Sequence, residues 1–193
     1  MLGQPQRHRG DTLKENHLRT PLSADDVLAL SAGEVVFLSG TVFTARDKAH
    51  ALIRRVGCPV SLNGAALYHC GPLIKEGRVL SAGPTTSGRL SRYTDEILGL
   101  GVRAIIGKGG LPAAPFLGRA VYLAYPGGCG AAAARQLKVS GVYLEDLGMA
   151  ESLWQLEALE MGPMIVAVDA RGGDLYRDVR ESAEKRIAKK NGE

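Results

Sequence analysis

The feature of this sequence that most limits its fold is the alternation of short apolar, β-branched stretches with helical segments. Glu34–Thr44 has the β-branched and aromatic composition of a strand, and Gly40 at its middle indicates a bulge or a hairpin-like bend. The next segment, Ala45–Arg55, has the apolar spacing of a helix with one buried face. Because no repeat, linker or low-complexity tract interrupts the alternation, the sequence predicts a single mixed α/β domain.

The same criteria predict the other elements and one terminal arm. Ser23 is expected to cap a short helix. Further strands are expected at Ala66–Cys70, Arg78–Ser81, Ala104–Gly107, Ala120–Tyr125, Val139–Leu144 and Met164–Asp169. Further helices are expected at Arg89–Leu100, near Ala150–Leu156 and at Arg180–Lys190, with an alanine-rich turn at Ala131–Ala134. Residues 1–20 are polar and are predicted to form an irregular arm, which leaves the domain to residues 21–193.

Composition and charge narrow the class of protein. The 193 residues are 45% apolar and 23% charged, values typical of a chain that buries a core. No apolar run approaches the roughly 18 residues that span a bilayer, and Met1–Asp11 lacks the apolar core of a signal peptide, so a cytoplasmic location is predicted. The net charge of +4 is weak evidence for nucleic-acid binding, since the basic residues are not interleaved with aromatic ones.

The three cysteines, Cys58, Cys70 and Cys129, form no CxxC pair and are odd in number. A disulfide framework and a zinc motif are therefore not predicted. Their wide separation and apolar neighbours favour buried structural thiols. Three thiolates can also hold three irons of a cubane cluster, and the sequence by itself leaves that alternative open.

Three loops combine glycine or small hydroxyl residues with a cation, and each follows a predicted strand. These loops are Thr44–Asp47, Gly83–Arg89 and Gly107–Gly110. Helix N-termini bind anions readily, and arginine and lysine add charge and directed donors. The Walker and dinucleotide-binding patterns are absent from the sequence. We therefore expect Arg46, Arg89 and Lys108 to converge on one site for a small dianion.

Six motifs in a fixed order carry a resemblance to a known family. They are LSGTVFTARDKAH (Leu38–His50), YHCGP (Tyr68–Pro72), GPTTSGR (Gly83–Arg89, with Tyr93 beyond it), GKGG (Gly107–Gly110), YPGGCGAAAA (Tyr125–Ala134) and GPMIVAVDARGGDLY (Gly162–Tyr176). Together they resemble the β-subunit or C-terminal part of class I iron–sulfur fumarate hydratases and L-tartrate dehydratases. The similarity runs from about Leu18 to Tyr176, and it implies a single swivelling β/β/α domain.

The resemblance also implies an activity, a cofactor and a partner. The reaction is the reversible loss of water from a 2-hydroxy dicarboxylate, malate to fumarate in the leading interpretation and tartrate in the alternative. The family's 4Fe–4S cluster is bound by cysteines of an α-subunit, so this chain is expected to bind no metal and to join a heterotetramer of two α and two β chains. From a different class, the chain could be a non-catalytic module that binds dicarboxylates or a partner.

The family motifs assign roles to individual residues. Thr85 matches the proton-abstracting hydroxyl, and the carboxylate ligands match Arg46, Arg89 and Lys108. Asp47, His50 and Thr86 are expected to support these groups without contacting the reacting atoms. A simpler alternative is that Thr85 and Thr86 only cap the following helix.

Two positions depart from the family pattern. Ser91 stands where the family often has aspartate, and Gly110 where it often has asparagine. Neither change removes a group assigned to catalysis, but both leave the preferred dicarboxylate open.

Overall fold

The computed structural model describes residues 13–191, with side chains through residue 188. The strands in that range are β1 Glu15–Arg19, β2 Val35–Thr44, β3 Ala66–Tyr68, β4 Leu73–Lys75, β5 Arg78–Ser81, β6 Ala104–Gly107, β7 Val121–Ala124, β8 Leu137–Tyr143 and β9 Leu153–Val168. The α-helices are α1 Ala24–Leu28, α2 Asp47–Val56, α3 Thr94–Gly99, α4 Gly130–Arg135 and α5 Leu175–Asn191. Short 3₁₀ segments occur at Ser87–Tyr93, Ala114–Phe116 and Glu145–Leu147. The predicted mixed α/β fold is confirmed.

Seven strands form one sheet in the order β1-β2-β3-β6-β7-β9-β8, and β4 and β5 form a separate hairpin. Neighbours from β1 to β7 in this order run parallel. Strand β9 is antiparallel to β7, β8 and β2. Since β9 pairs with both β2 and β7, the strands β2, β3, β6, β7 and β9 close into a ring. The carboxyl ends of the parallel strands β2, β3, β6 and β7 therefore meet at one edge.

Two apolar clusters hold the ring together, one on each face of its strands. Tyr68 and Ile106 belong to the cluster that takes side chains from every strand of the ring. Their neighbours Leu67 and Ile105 point the other way and pack with residues of α2 and α3. Both faces of β3 and β6 are therefore buried, which explains why these strands read as continuous apolar runs in the sequence.

Two local predictions are confirmed in detail. Ser23 caps α1: its Oγ accepts a hydrogen bond from the Asp26 N–H at 3.1 Å, and the Asp26 carboxylate accepts from the Ser23 N–H at 2.7 Å. Gly40 lies at an irregularity in the pairing of β2 with β9, with φ of +93°. A Cβ there would lie 2.6 Å from the Thr20 Oγ1, so only glycine fits this bulge.

The helix predicted near Ala150–Leu156 is wrong, because strand β9 begins at Leu153. The strand is bonded on both sides: Leu156 lies opposite Val42 of β2 and Val139 of β8. A segment bonded on both sides has all its backbone groups satisfied by the sheet, so tertiary pairing overrides the local preference. The alanine-rich turn is likewise the short helix α4.

The predicted irregular arm, residues 1–20, is wrong for its last part. Residues 15–19 form β1, which pairs in parallel with the first half of β2, so they belong to the sheet. Residues 1–12 lie outside the described part of the chain. At the other end, α5 begins at Leu175, and its side chains from Tyr176 to residue 188 are exposed, as predicted for a solvated final helix. Among the helices within residues 13–191, none has the length and apolarity needed to cross a membrane.

Candidate active site

The candidate site lies at the edge where the parallel strands end. Arg46 follows β2, His69 follows β3 and Lys108 follows β6. The segment Thr85–Ser87 is bonded across these ends: the Thr85 N–H donates to the His69 carbonyl at 2.7 Å, and the Lys108 N–H donates to the Thr85 carbonyl at 3.1 Å. The backbone thus joins two of the predicted loops to the end of β3, and the Ala45 N–H of the third loop donates to the Tyr68 carbonyl of β3 at 3.0 Å. This edge is a common place for ligand binding in α/β sheets.

Arg89 links the loop after β2 to the loop before α3. Its Nη2 donates to the Thr85 Oγ1 and to the Asp47 Oδ2, both at 2.9 Å, and its Nε donates to the Asp47 Oδ1 at 3.3 Å. Burial opposes ionisation of the Asp47 carboxyl, but the hydrogen bond and charge of Arg89 outweigh it, so the pKa of Asp47 is lowered. Asp47 therefore orients the guanidinium, which in turn contacts the Thr85 hydroxyl.

Arg46 has an unsatisfied donor at the same edge. Its Nε is buried and has no hydrogen-bond partner among the described residues; the nearest carboxylate oxygen, of Glu151, is 3.6 Å away. Gly71 makes room for this side chain, because a Cβ there would lie 2.6 Å from the Arg46 Cδ. A buried donor without an acceptor is costly, so Arg46 is suited to take an oxygen from a bound anion.

Lys108 completes the group of cations. Its side chain is exposed, and its backbone pairs with Thr86. A Cβ on Gly127, in the loop after β7, would lie 3.1 Å from the Lys108 Cδ. The lysine therefore lies against the loop of a fourth strand end, and the structure brings all the predicted cations to one edge.

His50 and Thr86 occupy supporting positions. The His50 Nδ1 lies 2.8 Å from the Arg46 carbonyl oxygen, which can only accept, so the ring donates from Nδ1. Burial lowers the pKa of His50, so the ring is neutral at pH 7. Thr86 is exposed and stands at the N-cap of the 3₁₀ segment, but its side chain makes no capping bond. Since the Thr85 Oγ1 accepts from Arg89 instead, capping does not account for either threonine.

Sequence reasoning missed four residues of this edge: His69, Ser87, Tyr122 and Glu151. Three of them are joined, because the His69 Nδ1 lies 2.9 Å and the Tyr122 Oη 3.0 Å from the Ser87 Oγ. Burial and the nearby His50 and Arg89 lower the pKa of His69. The available signal was the position of His69 near the end of a predicted strand, since Arg46 and Lys108 also lie close to strand ends.

The cysteines do not gather at the site. Cys70 and Cys129 pack with the cluster inside the ring, whereas Cys58 packs with the cluster on the other face. Burial raises the pKa of all three thiols, that of Cys70 to about 12. Across residues 13–191 no set of three or more His, Cys, Asp or Glu side chains is close enough to share a metal ion. A cubane cluster held by these three thiols is incompatible with this arrangement.

A cationic edge at the ends of parallel strands defines an α/β protein suited to a small anionic ligand. The Fumarase C-terminus family model matches residues 3–179, and the chain belongs to this family. It is 38% identical over 182 residues to a Methanocaldococcus jannaschii protein provisionally named L(+)-tartrate dehydratase subunit beta, covering 86% of this chain and 93% of that one. It is 35% identical over 173 residues to L(+)-tartrate dehydratase subunit beta of Escherichia coli K12, covering 83% and 86%.

A further relative has a longer chain. It is a Geobacillus stearothermophilus protein provisionally named class I fumarate hydratase, 32% identical over 182 residues. The match covers 89% of this chain but only 35% of that protein.

Proposed function

We propose that this chain is the β-subunit of a hydro-lyase that removes water from a 2-hydroxy dicarboxylate. The family membership and the names of the beta-subunit relatives support this proposal. So does the match to about a third of a longer protein provisionally named class I fumarate hydratase. We propose that this β-subunit joins a cluster-bearing α-subunit in a heterotetramer of two α and two β chains, and that the complex is located in the cytoplasm.

The observation that carries the proposal is that two arginines with different hydrogen bonding lie at the same edge of the sheet. Arg89 is fixed by Asp47 and donates to the Thr85 hydroxyl, while the buried Arg46 Nε has no acceptor among the described residues. A dicarboxylate offers two separate anionic groups, and planar guanidinium groups bind carboxylates with directed hydrogen bonds. Arg46 and Lys108 supply the remaining donors for such a substrate.

Thr85 is assigned as the base: its alkoxide takes the proton from the carbon next to a carboxylate and becomes the hydroxyl, while hydroxide leaves from the neighbouring carbon. Return of that proton to the hydroxide gives water and restores the alkoxide, which forms only if its negative charge is stabilised. The Arg89 Nη2, 2.9 Å from the Thr85 Oγ1, places a positive donor on that oxygen. Arg46 and Lys108 stabilise the negative charge that develops on the substrate carboxylate.

The residues of this chain do not fit a 4Fe–4S cluster. The cluster needs three thiolates at one place, and Cys58 lies on the other side of the ring strands from Cys70 and Cys129. We therefore assign the cluster to the partner chain. The side chains of Arg89 and Asp47 are 45% and 40% exposed, so this edge leaves room for a second wall that the partner would supply.

The substrate is tested by assaying this chain together with its cluster-bearing partner. We expect turnover on a 2-hydroxy dicarboxylate, measured with L-malate, fumarate and both enantiomers of tartrate. The resemblance of the motifs to class I fumarate hydratases favours malate, whereas the beta-subunit relatives carry the name of tartrate. A complex with a full cluster that neither dehydrates malate or tartrate nor hydrates fumarate would contradict the proposal.

The cysteines provide a test of where the cluster is bound. Replacing Cys58, Cys70 and Cys129 together by Ala or Ser is expected to leave the iron and sulfide content of the complex unchanged, because no three thiols meet in this chain. The measurement is the iron and sulfide content per complex, with thermal unfolding as a control because Cys70 is buried. A stoichiometric 4Fe–4S spectrum from the β-chain alone, reconstituted anaerobically, would refute the assignment.

A further inference from the structure

The carbonyl of Gly109, the residue after Lys108, is bound by two tyrosines from distant parts of the chain. The Oη of Tyr122, on β7, lies 2.8 Å from this oxygen, and the Oη of Tyr176, in the first turn of α5, lies 2.7 Å from it. A carbonyl only accepts, so both hydroxyls donate to it. Gly109 has φ of +76°, a conformation that favours glycine.

The Tyr122 hydroxyl is itself fixed by a buried chain of hydrogen bonds. Its single proton goes to Gly109, so at the 3.0 Å contact with the Ser87 Oγ the serine is the donor. The proton of Ser87 is then used, so the His69 Nδ1, 2.9 Å from the Ser87 Oγ, donates to it. All three side chains are buried, and an unpaired member would be costly.

The glycines around Lys108 make this arrangement possible. A Cβ on Gly107 would collide with the Ser87 Oγ, and the ring of Tyr176 lies 3.4 Å from the place of a Cβ on Gly110. Asp174 sets the start of α5, because its Oδ1 accepts from the N–H of Tyr176 at 3.0 Å. The GKGG motif (Gly107–Gly110) and the end of the last motif (Asp174–Tyr176) are therefore in contact and form one local structure.

We propose that Tyr122 and Tyr176 are positioning residues for Lys108. Both backbone groups of Lys108 are already held, because its N–H donates to the Thr85 carbonyl and its carbonyl accepts from the Ser87 N–H. The two tyrosines hold the following Gly109–Gly110 peptide through the Gly109 carbonyl, so they fix the backbone of the loop from which the exposed lysine side chain leaves. This inference rests on the proposed role of Lys108 as a carboxylate ligand.

The position of Tyr176 separates this role from a contribution to the core. Its side chain is 38% exposed and begins a helix whose described side chains beyond it are also exposed. Removing its hydroxyl therefore leaves both apolar clusters intact. What it does remove is one of the two tyrosine donors to the Gly109 carbonyl.

The test uses a double-mutant cycle in the complex with the cluster-bearing partner. Tyr122→Phe and Tyr176→Phe are each expected to lower kcat/KM about three- to tenfold on whichever of L-malate and L(+)-tartrate is turned over. In a Lys108→Ala background Tyr176→Phe is expected to have no further effect. The control is Tyr143→Phe, whose hydroxyl contacts Gln155 on β9, and it should leave kcat/KM unchanged.

The outcomes separate this inference from the proposed function. If Lys108→Ala lowers kcat/KM but Tyr176→Phe costs the same factor with and without Lys108, the positioning role is overturned and the proposed function stands. If the complex turns over neither substrate, the proposed function fails. Hydrogen exchange of the full chain then decides the inference: Tyr122→Phe and Tyr176→Phe should speed exchange in the peptide spanning residues 107–111, and unchanged exchange would overturn it.

Discussion

Replacing Thr85 by Val is expected to lower the turnover of the two-subunit enzyme by about a hundredfold or more, the usual scale for loss of a general base. The change keeps the shape of the side chain and removes the oxygen that accepts from the Arg89 Nη2. Thr85→Ser keeps that oxygen and should retain appreciable activity. The measurement is kcat under substrate saturation, with cluster content determined first.

The neighbouring threonine offers a matched control. Thr86 is exposed, makes no capping bond and has only a supporting role, so Thr86→Val is expected to lower turnover far less than Thr85→Val and to leave the melting temperature close to that of the unmodified protein. If Thr85→Val has near-normal turnover with a full cluster, the base is not on this residue and must be sought on the partner chain.

The sequence predicts most of the sheet because its strands are short and their ends are marked. The strands Arg78–Ser81 and Ala104–Gly107 have the predicted bounds, since turn residues or charge flank each apolar run. Where β9 lies, the sequence predicts a helix and a short strand instead of one long strand. Strand β9 forms because it pairs with β2 on one side and β8 on the other, and residues of β2 are more than 100 positions away in the sequence. The local sequence of this segment does not show which strands it will pair with.

In the candidate site, too, the sequence predicts what depends on local motifs and misses what depends on long-range contacts. The sequence alone identifies the four main site residues, because each lies in a motif next to a strand or a helix. These residues are Arg46, Thr85, Arg89 and Lys108. The unsatisfied Nε of Arg46 could not be foreseen, because it depends on the loop that brings Glu151 to within 3.6 Å. Long-range packing thus decides which donors are already used and which remain for a ligand.

Arg89 provides the test that separates an enzyme from a binding module of the same fold. Its guanidinium makes three hydrogen bonds to two residues, and a lysine ammonium cannot reproduce that planar arrangement. Arg89→Lys is therefore expected to lower kcat/KM about a hundredfold, the scale for losing a hydrogen bond to a charged group. Both kcat and KM should change, since Arg89 is assigned to the substrate carboxylate and to the Thr85 oxygen.

The control for this substitution lies on the same 3₁₀ segment. Arg92 is exposed and its guanidinium carbon lies 4.8 Å from the centre of the Tyr93 ring, so Arg92→Lys repeats the chemical change outside the group of contacts around Thr85. It should leave kcat and KM nearly unchanged. A module that only binds its partner would tolerate both substitutions equally, because neither removes a positive charge. Equal turnover of the Arg89→Lys and Arg92→Lys complexes, each with a full cluster, would therefore place the chemistry on the partner and leave this chain a structural role.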